Sequence, residues 1–176
     1  HPTWLEEPVA HEDLDRLAEV KRGTRTPMAA GERLYTLVDF ARLCDGRHAD
    51  VVQMDVAHCG GILMAKKVAA LAEAHDMTFA PHVSIGPVAL VAALHLYMSS
   101  SNFYRQENLG EHDVNYRDDL VCGWNRFANG YFTLDDTPGL GLTLNDAVIA
   151  AHPYKPNTFP SLWNNQWIAE FTKRKA

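Results

Sequence analysis

The stretch VVQMDVAHCGGI, residues 51–62, contains a complete switch from strand to helix. Val51 and Val52 are β-branched and suit a buried strand. The apolar run ends at Asp55. Gly60 and Gly61 allow a tight backbone turn. Beyond Ile62, the residues Ala65, Val68, Ala69, Leu71 and Ala72 recur at helical spacing, which predicts a helix from Ile62 to His75. Strand, ionisable residue and helix together make one βα unit.

The same unit recurs on both sides. Towards the N-terminus, Thr26–Ala30 reads as a strand and Leu37–Cys44 as a helix that stops near Gly46. Before them come a short strand at Thr3–Leu5 and a helical pattern over His11–Arg22. Towards the C-terminus, Met77–Ala80 is a strand, Gly86–Met98 an apolar helix and Asn102–Gln106 a further strand. Strands alternating with helices predict a parallel sheet. Each strand closes on an ionisable side chain: Glu6, Glu32, Asp55, His82 and Glu107. Their spacing is close to the ~30 residues per unit of a (β/α)-barrel, whose strand ends form one mouth that carries the chemistry. A single polar strand end needs no explanation beyond solvent. Five ionisable ones in step favour a shared site. Because successive strand residues face opposite ways, only one of Glu6 and Glu7 can point into that mouth. Pro8 then ends the strand's hydrogen bonding.

Composition removes several alternatives. The chain has 176 residues, 47% hydrophobic and 22% charged, with a formal net charge of -6. Such a balance is that of an ordinary globular protein. Mild acidity argues against a nucleic-acid partner. No apolar run approaches the ~20 residues of a membrane span, and no cationic-then-apolar leader is visible. Three scattered cysteines form neither a zinc pattern nor a disulfide framework, so a reducing, cytoplasmic setting is expected.

The motifs WLEEP (4–8), AAGE (29–32), VVQMDVAHCGGI (51–62), APHVSIGP (80–87) and NFYRQE (102–107), in this order and spacing, resemble the enolase superfamily and its mandelate racemase branch. AAGERLYT, DVAHCGGI and NFYRQENLGEHD look most like the sugar-acid dehydratases of that branch, of the galactonate dehydratase kind. The resemblance spans about residues 3–150. It implies the C-terminal part, about strands 4–8, of a TIM-like (β/α)7β barrel. Residues 1–118 would form the partial barrel. Residues 119–176 would form a hairpin and an irregular tail returning towards a missing N-terminal capping domain. The earlier strands, which carry the family's Lys, a further metal-binding Asp and a His general acid, would lie outside this chain. An open part-barrel exposes strand edges, so association or low stability of the isolated chain is expected.

The resemblance also implies roles. Glu6 and Glu32 would bind an essential Mg2+. Asp55 and His82 would form a dyad, and Glu107 would hydrogen-bond the substrate carboxylate as charge builds on it. The implied activity is dehydration of a galactonate-like sugar acid to a 2-keto-3-deoxy acid through an enediolate. A racemase or epimerase of the same superfamily, or an inactive part-barrel, is the alternative. The partner would be a small-molecule sugar acid, with no nucleic acid and no membrane, and the full-length protein a homo-oligomer.

The chemistry is consistent with these roles. Removing a proton beside a carboxylate builds up negative charge that a cation and hydrogen-bond donors must meet. Mg2+ takes oxygen ligands, often one or two carboxylates. Imidazole is a suitable base near neutral pH, and an adjacent Asp fixes its tautomer. Lesser expectations attach to neighbouring residues. His58 is expected to orient its loop, with substrate contact the lesser alternative, Arg33 to pair with a neighbouring carboxylate, and Ser84 and Gly86 either to cap a helix or to offer N–H groups to an anion. His75 and His95 read as packing or surface residues, and Cys59 as an unactivated thiol. NRFANGYFTLDDTPGLGLTLND (125–146) reads as a hairpin turning at Asn129-Gly130. The aromatic run NTFPSLWNNQWIAEF (157–171) reads as a packing segment.

Overall fold

The computed structural model describes residues 1–84, 86–108, 116–123 and 127–155. The aromatic run at 157–171 lies outside the described residues. By its internal contacts one compact unit runs from His1 to Asn145, and Asp146–Ala176 form another.

Four βα units build the first. β1 (Leu5–Glu6), β2 (Met28–Ala30), β3 (Val51–Val52) and β4 (Thr78–Phe79) form a parallel sheet in sequence order. Their partners are Glu6 with Ala29, Ala29 with Val51, and Val52 with Phe79. The helices α1 (Leu14–Gly23), α2 (Leu37–Asp45), α3 (Ile62–Ala74) and α4 (Pro87–Met98) follow the strands in turn. The spacing of apolar residues therefore located each element to within a few residues. Strand Asn102–Gln106 differs. It contributes a single parallel bridge, Phe79 with Phe103, framed by Phe79 N–H donating to Asn102 O and Tyr104 N–H donating to Phe79 O. Side chains do the rest of the anchoring there. The Asn102 amide donates to the carbonyls of Ala69 and Met77, both at 3.0 Å. Lys66 reaches Ser99 O and, at 3.0 Å, Ser100 Oγ.

The sheet has two unlike faces. The main core, with Met28, Ala30, Phe40, Leu43, Val52, Val68, Phe79 and Leu90 all buried, lies between strands and helices. The other face holds a small cluster of Ala29, Val51 and Ala80 with Trp4 against it. Alternation along the strands puts Gln53 and Asp55 on the side of Val51, and His82 on the side of Ala80. Thus the ionisable strand ends continue the sheet's inner face, away from the helices.

Helix α2 starts with a capping box. The Thr36 hydroxyl accepts from Asp39 N–H, and the Asp39 carboxylate accepts from Thr36 N–H and from its hydroxyl at 2.6 Å. The Thr36 hydroxyl, outweighing a small cost of burial, holds the Asp39 carboxyl below its ordinary value of 3.8. Thr36→Ala should cost about 1 kcal/mol at neutral pH in urea unfolding. A depressed carboxyl stabilises above its unfolded value and loses that contribution as pH falls through the folded one. The deficit of Thr36→Ala should therefore narrow below pH 3.8. A deficit that widens on acidification would contradict this cap.

Beyond Phe103, residues Val121–Cys122 (β5) pair antiparallel with Thr143–Leu144 (β6). A turn at Asn129-Gly130, both at positive φ, closes an antiparallel bridge between Ala128 and Tyr131, as the Asn-Gly pair predicts. In the second unit α5 (Asp146–Ala151) is the described helix. Among the described residues no helix is long and apolar enough to cross a membrane.

Candidate active site

The five strand-end residues meet on the sheet's inner face. Asp55 follows β3 and is fully buried. One of its oxygens accepts from Ala57 N–H at 2.7 Å and His58 N–H at 3.3 Å; the other receives His82 Nδ1 at 3.0 Å. Burial opposes ionisation of Asp55. The His82 hydrogen bond, the Ala57 N–H and the nearby imidazoles outweigh it, so its carboxyl lies below the usual value. The backbone after β3 folds back over this carboxylate, so the DVAH turn and the acid stabilise one another.

His82 follows β4 with 13% of its side chain exposed. With Asp55 accepting at Nδ1, the ring carries its proton there and Nε2 is the free base. Nε2 lies 3.6 Å from Glu32 Oε2 and 3.9 Å from Glu107 Oε2. The Asp55 hydrogen bond raises the His82 pKa most; burial opposes it, and the charges of Glu32 and Glu107 add to it. The dyad, Glu32 and Glu107 thus form one electrostatic unit.

Glu32 follows β2 behind Gly31. Burial lifts its pKa, His82 opposes, and Glu7 and Glu6 lift it further. Three carboxylates therefore crowd this side of the site. Glu7 is the one already neutralised. At φ 35 it turns away from Glu6, and its carboxylate accepts from Gly31 N–H at 3.2 Å and Arg33 Nε at 2.6 Å. Arg33 also places Nη2 on the same oxygen. The second acid of the EEP stretch thus pins the turn that carries Glu32. Glu6 stays on the inner face, where its Oε2 accepts from Gln53 Nε2 at 2.8 Å and Trp4 Nε1 at 3.0 Å.

Glu107 reaches back from the last strand. Its Oε2 accepts from Val83 N–H at 2.8 Å, which ties it to the residue after His82. A cavity of about 380 Å³ lies beside it, lined by Trp4, Glu6, Gln53, Arg105, Gln106 and Glu107. His58 sits beside the dyad, its ring 6.4 Å from that of His82 and 6.0 Å from that of Tyr35. His75 caps α3 against Asp45 at 3.0 Å, away from the site.

Among the described residues, no group of three or more His, Cys, Asp or Glu is arranged to hold a metal ion. The oxygen donors do fit a hard divalent cation that takes one or two carboxylates and completes its shell with water and substrate. Among the described residues, Glu6 has no ion pair, and Glu32 has only His82 Nε2 at 3.6 Å and Arg33 Nε at 4.0 Å, whereas Glu7 is held by Arg33 through two nitrogens. Gln53, missed in the sequence, also belongs to this wall. A glutamine inside the otherwise apolar run 51–54 was the signal that could have found it.

Cys59 lies beside Asp55, yet burial, and then the Asp55 charge, push its thiol up to about 11. Cys44 is buried and shifted upward to a similar value. Cys122 is exposed. A thiol reagent at pH 8 should therefore label one cysteine quickly and the other two only on unfolding, read by mass spectrometry. Rapid labelling of Cys59 would contradict the burial described.

The parallel βα sheet thus carries an Asp–His pair and three acids at its strand ends. The chain belongs to the enolase C-terminal domain-like family, whose profile matches residues 1–148. Its fold is accordingly the C-terminal part of a TIM-like barrel. Among its relatives is the D-galactonate dehydratase of Verminephrobacter eiseniae, 35% identical over 153 residues, which are 84% of this chain and 40% of that enzyme. A mandelate racemase/muconate lactonizing enzyme-like protein from Rubrobacter xylanophilus is 42% identical with a TM-score of 0.78, over 86% of this chain and 39% of the other. An enolase from Pantoea ananatis, solved with bound D-gluconate and Mg, is 30% identical with a TM-score of 0.80, over 88% of this chain and 37% of that one. The chain therefore spans about two-fifths of the relatives' length.

Proposed function

We propose that this chain carries the proton-abstracting part of the active site of a Mg2+-dependent sugar-acid dehydratase. The observation that carries the reading is His82, locked at Nδ1 by a fully buried Asp55 and flanked at Nε2 by Glu32 and Glu107. His82 Nε2 takes the proton alpha to the substrate carboxylate. Asp55 holds the ring and stabilises the imidazolium that forms. Glu107, anchored through Val83 N–H, hydrogen-bonds the substrate carboxylate as it becomes an enediolate. Glu6 and Glu32 would hold Mg2+. When bound, the ion supplies the positive charge that makes such a dianion accessible. Net reaction breaks the C2–H and C3–O bonds, releases water and leaves an enol that becomes the 2-keto-3-deoxy acid.

Two relatives, a D-galactonate dehydratase and an enolase solved with bound D-gluconate and Mg, support an aldonate as substrate. The test is turnover of the full-length protein on a panel of sugar acids with Mg2+, with 2-keto-3-deoxy products detected. Deuterium incorporation at the alpha carbon without loss of water would reassign it to racemisation or epimerisation.

A further inference from the structure

Gln53 sits in the middle of the inner face, 4% exposed, one strand beyond β2 from the acid it touches. Its Nε2 donates to Glu6 Oε2 at 2.8 Å, bridging β3 to β1 across 47 residues. The Trp4 indole N–H, two residues before Glu6, donates to that same oxygen at 3.0 Å. Oε1 of Glu6 has no hydrogen-bond partner among the described residues. The Gln53 amide orientation is fixed by chemistry, because turning it over would set its carbonyl oxygen against a carboxylate. The bond comes at a cost, since Gln53 Oε1 is buried without a partner among the described residues. An apolar residue of similar length would avoid that penalty. The chain instead keeps an amide whose one satisfied group grips Glu6.

We propose that Gln53 is a positioning residue which, with Trp4, clamps one oxygen of Glu6 and so reserves the other for a divalent cation. Partners that hold a metal-binding carboxylate in place typically change metal affinity 10–100-fold when removed. The clamp acts on the ligand before any cation arrives. It therefore sets affinity and leaves the chemical step alone. This rests on the reading of Glu6 as a metal-binding residue, and the test separates the two.

The experiment measures Mn2+ binding to the metal-stripped full-length protein by electron paramagnetic resonance, and kcat against Mg2+ concentration. It compares wild type with Gln53→Leu, Trp4→Phe and Glu6→Gln. Gln53→Leu is expected to bind Mn2+ about 10–100-fold more weakly, with kcat restored towards wild type at saturating Mg2+. Trp4→Phe keeps an aromatic ring, removes the N–H, and should weaken binding several-fold. It serves as the independent probe if Gln53→Leu fails to fold. A structural defect would depress kcat at every Mg2+ concentration, and that pattern in both variants overturns the proposal. Wild-type Mn2+ affinity in Gln53→Leu or, failing that, in Trp4→Phe, with Glu6→Gln impaired, overturns the clamp and leaves the reading of Glu6 standing. Wild-type affinity in Glu6→Gln overturns both.

Discussion

In the full-length protein, His82→Asn should lower turnover and alpha-proton exchange by about 10³–10⁴-fold. Asparagine keeps the approximate size of the ring and can still meet Asp55, so the fold should tolerate it. It has no basic nitrogen. The effect should fall on kcat, because the lost interaction is a proton transfer made in the transition state. Asp55→Asn is the companion. It leaves the ring in place while removing the charge that holds the proton at Nδ1, and its loss should approach that of the base itself. Deuterium exchange in D2O, followed by NMR, reads both without relying on water loss. Exchange retained in His82→Asn would remove His82 from its role and return attention to groups elsewhere in the barrel.

Gly31→Ala should be the most damaging of the glycine substitutions, costing about 2–4 kcal/mol in urea unfolding. Gly31 stands at φ +135, where L side chains rarely go. A Cβ there would also lie 3.1 Å from Gln53 N and 3.2 Å from Phe40 Cε1, on backbone and packed core that cannot give easily. Gly61 is the control. It is at φ +88 at the start of α3, but a Cβ there meets nothing within 4 Å. Gly61→Ala should therefore show only the backbone strain, about 1–3 kcal/mol. The excess at Gly31 isolates the close approach of β2 to β3. Because Gly31 N–H bonds Glu7 and Glu32 is next in sequence, the same substitution should disturb the acid that flanks His82. Equal costs at the two glycines would mean that the crowding around Gly31 is relieved.

The two predictions rest on unlike information. Glu6, Glu32, Asp55, His82 and Glu107 were legible in the sequence because the βα repeat forces one strand end per unit to the same rim. Periodicity, which needs only local order, fixed the elements and the parallel sheet. The motif pattern fixed the family. Local order did not reveal that Asn102–Gln106 pairs through one bridge, because that depends on what Asn102 and Phe103 find on neighbouring elements. Nor did it give the division of labour between Glu6 and Glu7. Strand alternation required them to diverge. Only the folded chain assigns Arg33 and Gly31 N–H to Glu7, and Trp4 and Gln53 to Glu6. What the sequence determined by itself was which residues reach the rim, since that follows from the spacing of covalently linked units. Tertiary structure decided which carboxylate is neutralised by Arg33, which accepts from Gln53 and Trp4, and which faces His82. Those distinctions arise from hydrogen bonds between strands far apart in the chain, where separation along the sequence carries no information about distance in space.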